Sequence, residues 1–224
     1  MPYSVALDGP AGTGKTTVAK MIAERLDFLY VDTGAMYRAL AVYFISENTD
    51  TSDEKAVEEA LENVSVDISH KNGEQRVLVN GNDVTGKLRT GEVSKLASIT
   101  SQYAAVRAKL LDLQRSLAAE NNVIMDGRDI GTVVLPDATL KVFLTASPHI
   151  RALRRYNQLI EQGKLEGATL SSIEAEIEER DYRDSHRENA PLCKASDAVE
   201  VDTSDLSLSD EIDLVQRLIT ERMN

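Results

Sequence analysis

The 224-residue sequence predicts an α/β fold of three layers. A central parallel sheet lies between helices, with a small antiparallel β-meander inserted. Three observations predict this. Short apolar runs that stop at glycine or aspartate alternate with stretches of helical spacing, the pattern of a parallel sheet with covering helices. The first such run passes through the glycine-rich stretch GPAGTGKTT directly into a helix. The middle of the chain then changes to the strict alternation of a two-faced antiparallel sheet.

Each element follows from a local signal. Tyr3 to Asp8 (YSVALD) is a short apolar run ended by glycine, a buried-strand signal. TVAKMIAERL places Val18, Ile22 and Leu26 on one helix face. FLYVDTG predicts a second strand ending in a turn, AMYRALAVYFISEN a helix, and TSDEKAVEEALENV a helix with a solvated acidic face. Residues 64–85 alternate apolar and polar, with turn signals at Asn72-Gly73 and Asn80-Gly81, and predict the meander. EVSKLASITSQYAAVRAKLLDLQRSLAAE predicts two helices with a break near Tyr103. Val123 to Met125 is a buried strand followed by a turn rich in Asp, Gly and Arg, and ATLKVFLTAS is another strand. PHIRALRRYNQLIEQG carries proline at its start and glycine at its end, as helices do. KLEGATLS is a loop, LSSIEAEIEERDYRDSHREN a long charged helix, DAVEVDTS a last strand and SLSDEIDLVQRLITERM the closing helix.

Composition narrows the function classes. Hydrophobic residues are 42% and charged residues 28%, ordinary for a soluble globular chain. A net charge of −12 argues against broad nucleic-acid binding, which needs a basic surface, but not against binding an anion in a local field. One cysteine, Cys193, allows no internal disulfide. With three scattered histidines it makes a structural zinc site improbable. No apolar stretch is long enough to span a bilayer, and the N-terminus lacks a basic segment followed by an apolar run. The expectation is a soluble, cytoplasmic protein, monomeric or weakly associating, with no membrane partner.

Gly9, Pro10, Ala11, Gly12, Thr13, Gly14, Lys15 and Thr16 match G-x-x-x-x-G-K-[ST] without slippage, and Thr17 continues into the helix. Glycines let backbone N–H groups turn inward as an anion nest. The helix that follows adds free N–H groups and a favourable dipole. Lys15, expected to point to solvent, supplies charge for the β- and γ-phosphates, and the Thr16 hydroxyl can ligate Mg2+. A nucleoside triphosphate site is therefore expected. The alternative, a glycine turn that only caps a helix, does not account for strand, loop and helix in that order.

A hydrolase or switch needs a water and sensor loops, whereas a transferase needs a second pocket in line with the γ-phosphate. DTGAMYR sets Thr33, Tyr37 and Arg38 after the second strand, where open α/β sheets bind ligands. DGRD places Asp126, Arg128 and Asp129 after a later strand, either as an Asp-Gly turn or as a site. Arg180, Asp184 and Arg187 share one face of the long helix. That face is either a salt-bridge-laced surface or a ladder of donors and an acceptor.

ALDGPAGTGKTT, DTGAMYRALA, GNDVTGKLRTGEVS, DGRDIGTVVLPDATLKVFLTAS and ERDYRDSHRENAPL together closely resemble the bacterial cytidylate kinases. These are nucleoside-monophosphate kinases that phosphorylate CMP and dCMP from ATP with Mg2+. The resemblance implies a core of residues 1–36, 102–153 and 170–224, a CMP-binding region 37–101 with its β insert near 64–85, and a helical lid 154–169. It implies that Thr33 and Tyr37 line the acceptor pocket and that Arg38, Arg128 and Arg187 clamp the CMP phosphate. It implies that Ser98, Arg107 and Asp129 read the cytosine edge and that Arg180 and Asp184 hold the sugar. Arg151, Arg154 and Arg155 are expected to face the triphosphate, with Lys15, Arg128 and Arg155 catalytic. Asp126 is expected to organise Mg2+ together with Thr16, through water. The alternatives are an NTP hydrolase or switch of the same loop class, or a kinase for another acceptor such as UMP.

Overall fold

A computed structural model describes residues 2–71 and 74–223, so the turn expected at Asn72-Gly73 lies outside the described residues. Strand β1 (Ser4–Asp8) leads through the glycine-rich loop into α1 (Lys15–Leu26), followed by β2 (Leu29–Asp32), α2 (Thr33–Ser46) and α3 (Glu54–Leu61). The insert is β3 (Val66–Lys71), β4 (Glu74–Val79) and β5 (Asn82–Asp83). Helices α4 (Gly91–Thr100) and α5 (Ala104–Glu120) return the chain to β6 (Val123–Gly127) and β7 (Leu140–Thr145). Helices α6 (Pro148–Glu161) and α7 (Leu170–His186), then β8 (Val199–Asp202) and α8 (Leu208–Met223), complete it.

The five long-range strands form one parallel sheet in the order β2-β6-β1-β7-β8. Successive residues of a strand face opposite ways. Val5 and Leu7 of β1 therefore join Ile124, Val142 and Leu144 against α1 and α8. Ala6 and Met125 point to the other face, among Met36, Leu40, Phe44, Val106 and Leu110 of α2 and α5. Both faces are covered, which is why the strands read as unbroken apolar runs.

Caps and breaks set the helix ends. Asp32 caps α2 by accepting from Ala35 N at 2.9 Å. Thr169 and Ser172 form a reciprocal capping box on α7. The break between α4 and α5 falls at residues 101–103, where the sequence predicts it. Helix α7 stops three residues short of its predicted end. Arg187 turns extended (φ −65°, ψ 144°) and the chain folds back, with Leu192 N donating to Asp184 O at 2.7 Å. A π-helical turn at Ile130–Val134 has no sequence signal. Its start is pinned by Asp8, whose carboxylate accepts from Ile130 N at 2.8 Å and Gly131 N at 2.7 Å.

The insert is antiparallel, with Val66 opposite Val79 and Leu78 opposite Asp83. Val77 and Val79 anchor it in the α2 core. It also meets the edge of the main sheet. Gln75 Oε1 accepts from Asp32 N at 2.8 Å and its Nε2 donates to Asp32 O at 3.2 Å. His70 Nε2 lies 3.2 Å from Tyr30 O and must carry the proton there, since a carbonyl only accepts. Among the described residues no helix is long and apolar enough to cross a membrane.

Gln75→Ala removes both bonds to the Asp32 backbone. Leaving a partly buried donor and acceptor unpaired costs about 1–2 kcal/mol. For a domain of this size the melting temperature should drop by roughly 2–8 °C, read by calorimetry.

Candidate functional site

The phosphate loop is shaped from behind. Gly9 has φ 147°, and a Cβ there would stand 2.0 Å from Leu144 O, so no other residue fits. Gly14 caps α1 in the left-handed region at φ 92°. Pro10 O accepts from Lys15 Nζ at 2.6 Å and from Thr13 Oγ1 at 3.2 Å. Lys15 is thus buried and folded onto its own loop rather than directed to solvent. Burial, with Arg128 nearby, pushes its ammonium well below the usual lysine range. Gly9, Pro10 and Thr13 lie under the loop, while Ala11, Gly12, Gly14, Lys15, Thr16 and Thr17 line the cavity above it.

Arg151 departs from expectation. It is 3% exposed, and its guanidinium bonds Ala146 O, Ala11 O and the Asp181 carboxylate. It braces the loop from outside instead of facing a triphosphate. Arg154 and Arg155 do line the cavity. Arg154 is held by Thr203 Oγ1 at 3.0 Å, and Arg155 by Gln158 Oε1 at 2.7 Å.

The cavity measures about 630 Å3 and runs without interruption from the phosphate loop to the ends of β2 and β6. At its floor Asp126 accepts from Thr16 Oγ1 at 3.1 Å and from Tyr30 Oη at 2.8 Å. Burial and the neighbouring Asp32 push this carboxyl up to about 6, against Lys15 and those two bonds. Thr33 Oγ1 donates to Asp126 O at 2.8 Å, which ties α2 to the end of β6.

Beyond the floor, arginines and carboxylates interleave. Arg38 donates to Asp32 at 2.8 Å. Asp129 accepts from Arg107 and faces Arg187 at 3.5 Å. Asp184 accepts from Arg128 at 3.0 Å and faces Arg180 at 3.9 Å. Burial opposes ionisation of Asp184, but Arg128 and Arg180 outweigh it and hold the carboxyl below its ordinary range. Burial and Arg128 push Arg180 down to about 10. Tyr37 lies under Arg107, 5.6 Å from ring centre to guanidinium, and burial pushes its phenol up to about 12. Ser98 Oγ is buried without a hydrogen-bond partner among the described residues, as are Arg38 Nε and Arg180 Nε. Free donors in a polar cavity are what an anionic, hydrogen-bonding ligand would fill. All these residues line the one cavity.

Several participants carry no sequence signal of their own. Asp8 fixes the turn after DGRD, and burial pushes its carboxyl up to about 6 against its two amide bonds. Asp32, Ser101 and Gln158 line the cavity as supports for arginines. Glu211, which lies in no motif, is reached only through the packing of α8 on α1.

Residues 5–221 match the family model described as cytidylate kinase. A cytidylate kinase of Lactobacillus johnsonii is 46% identical over 97% of this chain and 94% of its own. A cytidylate kinase of Bacillus subtilis is 42% identical over 98% of this chain and 97% of its own. Among solved structures, an uncharacterized protein from Eubacterium ventriosum shares the fold with a TM-score of 0.51 at 13% identity, over 99% of this chain and 97% of its own. The full-length family match and the high identity along the whole chain place this protein in the cytidylate kinase family.

Proposed function

We propose that this chain transfers the γ-phosphoryl group of ATP to CMP or dCMP, giving CDP or dCDP. The observation that carries this reading is the single cavity shared by the phosphate loop and the arginine–carboxylate lattice. A hydrolase or switch has no use for the second half.

In this reading an oxygen of the CMP phosphate attacks the γ-phosphorus of ATP in line. The bond to the β–γ bridging oxygen breaks, and charge spreads over the transferred oxygens. Lys15 exchanges its contacts with Pro10 O and Thr13 Oγ1 for phosphate oxygens. Arg128 and Arg155, both lining the cavity, stabilise the transferred group, and Arg154 faces the donor. Arg38, Arg128 and Arg187 clamp the acceptor phosphate. Fixed charges in a closed, water-poor cavity stabilise such a transition state without reorganising.

Asp129 suits cytosine because a carboxylate accepts from the exocyclic amine and repels the carbonyl oxygen of uracil. Arg107 donates to the ring acceptors, Ser98 offers its unspent hydroxyl, and Tyr37 and Thr33 wall the pocket. Arg180 and Asp184 take the sugar. Thr16 and Asp126 supply hydroxyl and carboxylate oxygens, a donor set that fits Mg2+. When bound with ATP, Mg2+ neutralises phosphate charge.

Two parts are read as mobile: the acceptor region 37–101 and the lid 154–169. Gly163 and Gly167 adopt left-handed backbone at φ 64° and 81°, and α6 and α7 share a small separate apolar cluster around Ala152, Ile173 and Ile177. Both support a lid that moves as a unit. The exposed lone Cys193 suits a reducing cytoplasm.

The test is a coupled assay of ATP against CMP, dCMP, UMP and AMP, with ATP alone as control. CMP and dCMP should turn over, UMP less well, and AMP and water negligibly. Equal turnover of AMP and CMP would overturn the roles given to Ser98, Arg107 and Asp129.

Lys15→Ala should lower kcat about 100- to 1000-fold, the usual cost of one preorganised charge. Its melting temperature should stay near wild type, because removing a buried cation offsets the lost bond to Pro10. Near-normal turnover would remove Lys15 from the chemistry.

Asp129→Asn should relax base choice, since an amide can rotate to donate to uracil. One base-edge contact is worth about 1–3 kcal/mol, so the CMP/UMP ratio of kcat/KM should fall roughly 5- to 150-fold. An unchanged ratio would leave Asp129 only as the partner of Arg107 and Arg187.

A further inference from the structure

Glu211 lines the cavity but enters none of the steps above. It stands near the start of α8, is 2% exposed, and its Oε1 has no hydrogen-bond partner among the described residues. Its carboxyl lies against the phosphate loop: a Cβ on Gly14 would stand 3.3 Å from both Oε1 and Oε2. Lys15 on α1 and Arg154 on α6 are the charged groups that face it. Lys15 is engaged by Pro10 and Thr13, and Arg154 by Thr203. An acidic group buried without a partner beside an anion site costs stability, so stability does not account for it.

We propose that Glu211 is a binding residue of the donor half-site, where its carboxyl sets how tightly the cavity takes the polyphosphate of the donor nucleotide. Ionised, it repels the phosphates seated over Gly14. Protonated, it becomes an O–H donor toward them. Leu206 and Leu208, beside it on the wall, give the same end of the cavity an apolar ledge. The inference rests on reading the loop as the donor site.

Titration supports the geometry. Burial pushes the Glu211 carboxyl up to about 7, against Arg154 and Lys15. The group is neutral below that value and ionised above it. A bound polyphosphate raises it further. Donor binding near neutral pH therefore takes up a proton, and donor affinity declines as pH rises past 7.

The test is ADP binding by titration calorimetry at pH 6 and pH 8, on wild type and Glu211→Gln. At pH 8 the variant should bind ADP roughly three- to tenfold tighter, the effect expected of removing one nearby negative charge. At pH 6 the two should agree within about twofold. At pH 7.5, buffers of different ionisation heat should reveal net proton uptake on ADP binding by wild type and measurably less by the variant. Should Glu211→Gln fold poorly, Glu211→Ala takes its place in the same comparison, because Lys15 and Asp126 in the same cavity can also take up protons. No proton uptake by wild type, or equal ADP affinities of the two proteins at both pH values, overturns the proposal. Turnover of CMP by the same wild-type sample tests the activity separately. Proton-linked ADP binding without CMP turnover would overturn the function and leave Glu211's role standing.

Discussion

The site depends on the register of three parallel strands. β1 pairs with β6 from Ser4 opposite Val123 to Asp8 opposite Gly127, and β2 pairs with β6 up to Asp32 opposite Asp126. The strands therefore end level. Gly9, Thr33 and Arg128, far apart in sequence, begin two loops and a helix at one rim. Main-chain hydrogen bonds fix this alignment, and a slip of one residue would turn each strand's side chains to the wrong face. It would also carry Asp8 away from the amides of Ile130 and Gly131, and the turn bearing Arg128 and Asp129 would lose its anchor.

Charge organises what the register brings together. The chain carries a net −12, yet its cavity is lined by eight cationic side chains and five carboxyls. Asp129 and Asp184 each stand between two guanidiniums that would otherwise repel one another, and Asp32 holds Arg38. Buried ion pairs of this kind add little to stability, so their worth lies in holding donors ready. The acidic exterior serves the same end. Anions are turned away from most of the surface and drawn where the local field reverses.

What could be read from the sequence was what is local. The phosphate loop is contiguous, so its residues and its strand–helix context stand together. The insert announces itself by a change of period, and DGRD by its place after an apolar run. Contacts across the fold leave no such trace. Nothing near Asp8 indicates that it grips a turn more than a hundred residues away. Arg151 and Arg154 look alike on one helix, and only the packing sends one behind the loop and the other into the cavity. Lys15 was legible as a phosphate ligand but not in its inward posture, which depends on the Pro10 carbonyl. The end of α7 is not legible in the sequence, because its charged pattern continues past the point where the chain folds back on Asp184.

The seat of the insert on β2 has a consequence for solution behaviour. β2 is an outer strand, and an uncovered outer strand is a template on which another molecule can add a strand. Here side chains occupy that template: Gln75 satisfies both backbone groups of Asp32, and His70 engages the carbonyl of Tyr30. Three such bonds can part and re-form without unravelling any main-chain ladder. The same economy makes the protection conditional. Whenever the insert lifts, the sheet offers a bare edge at β2.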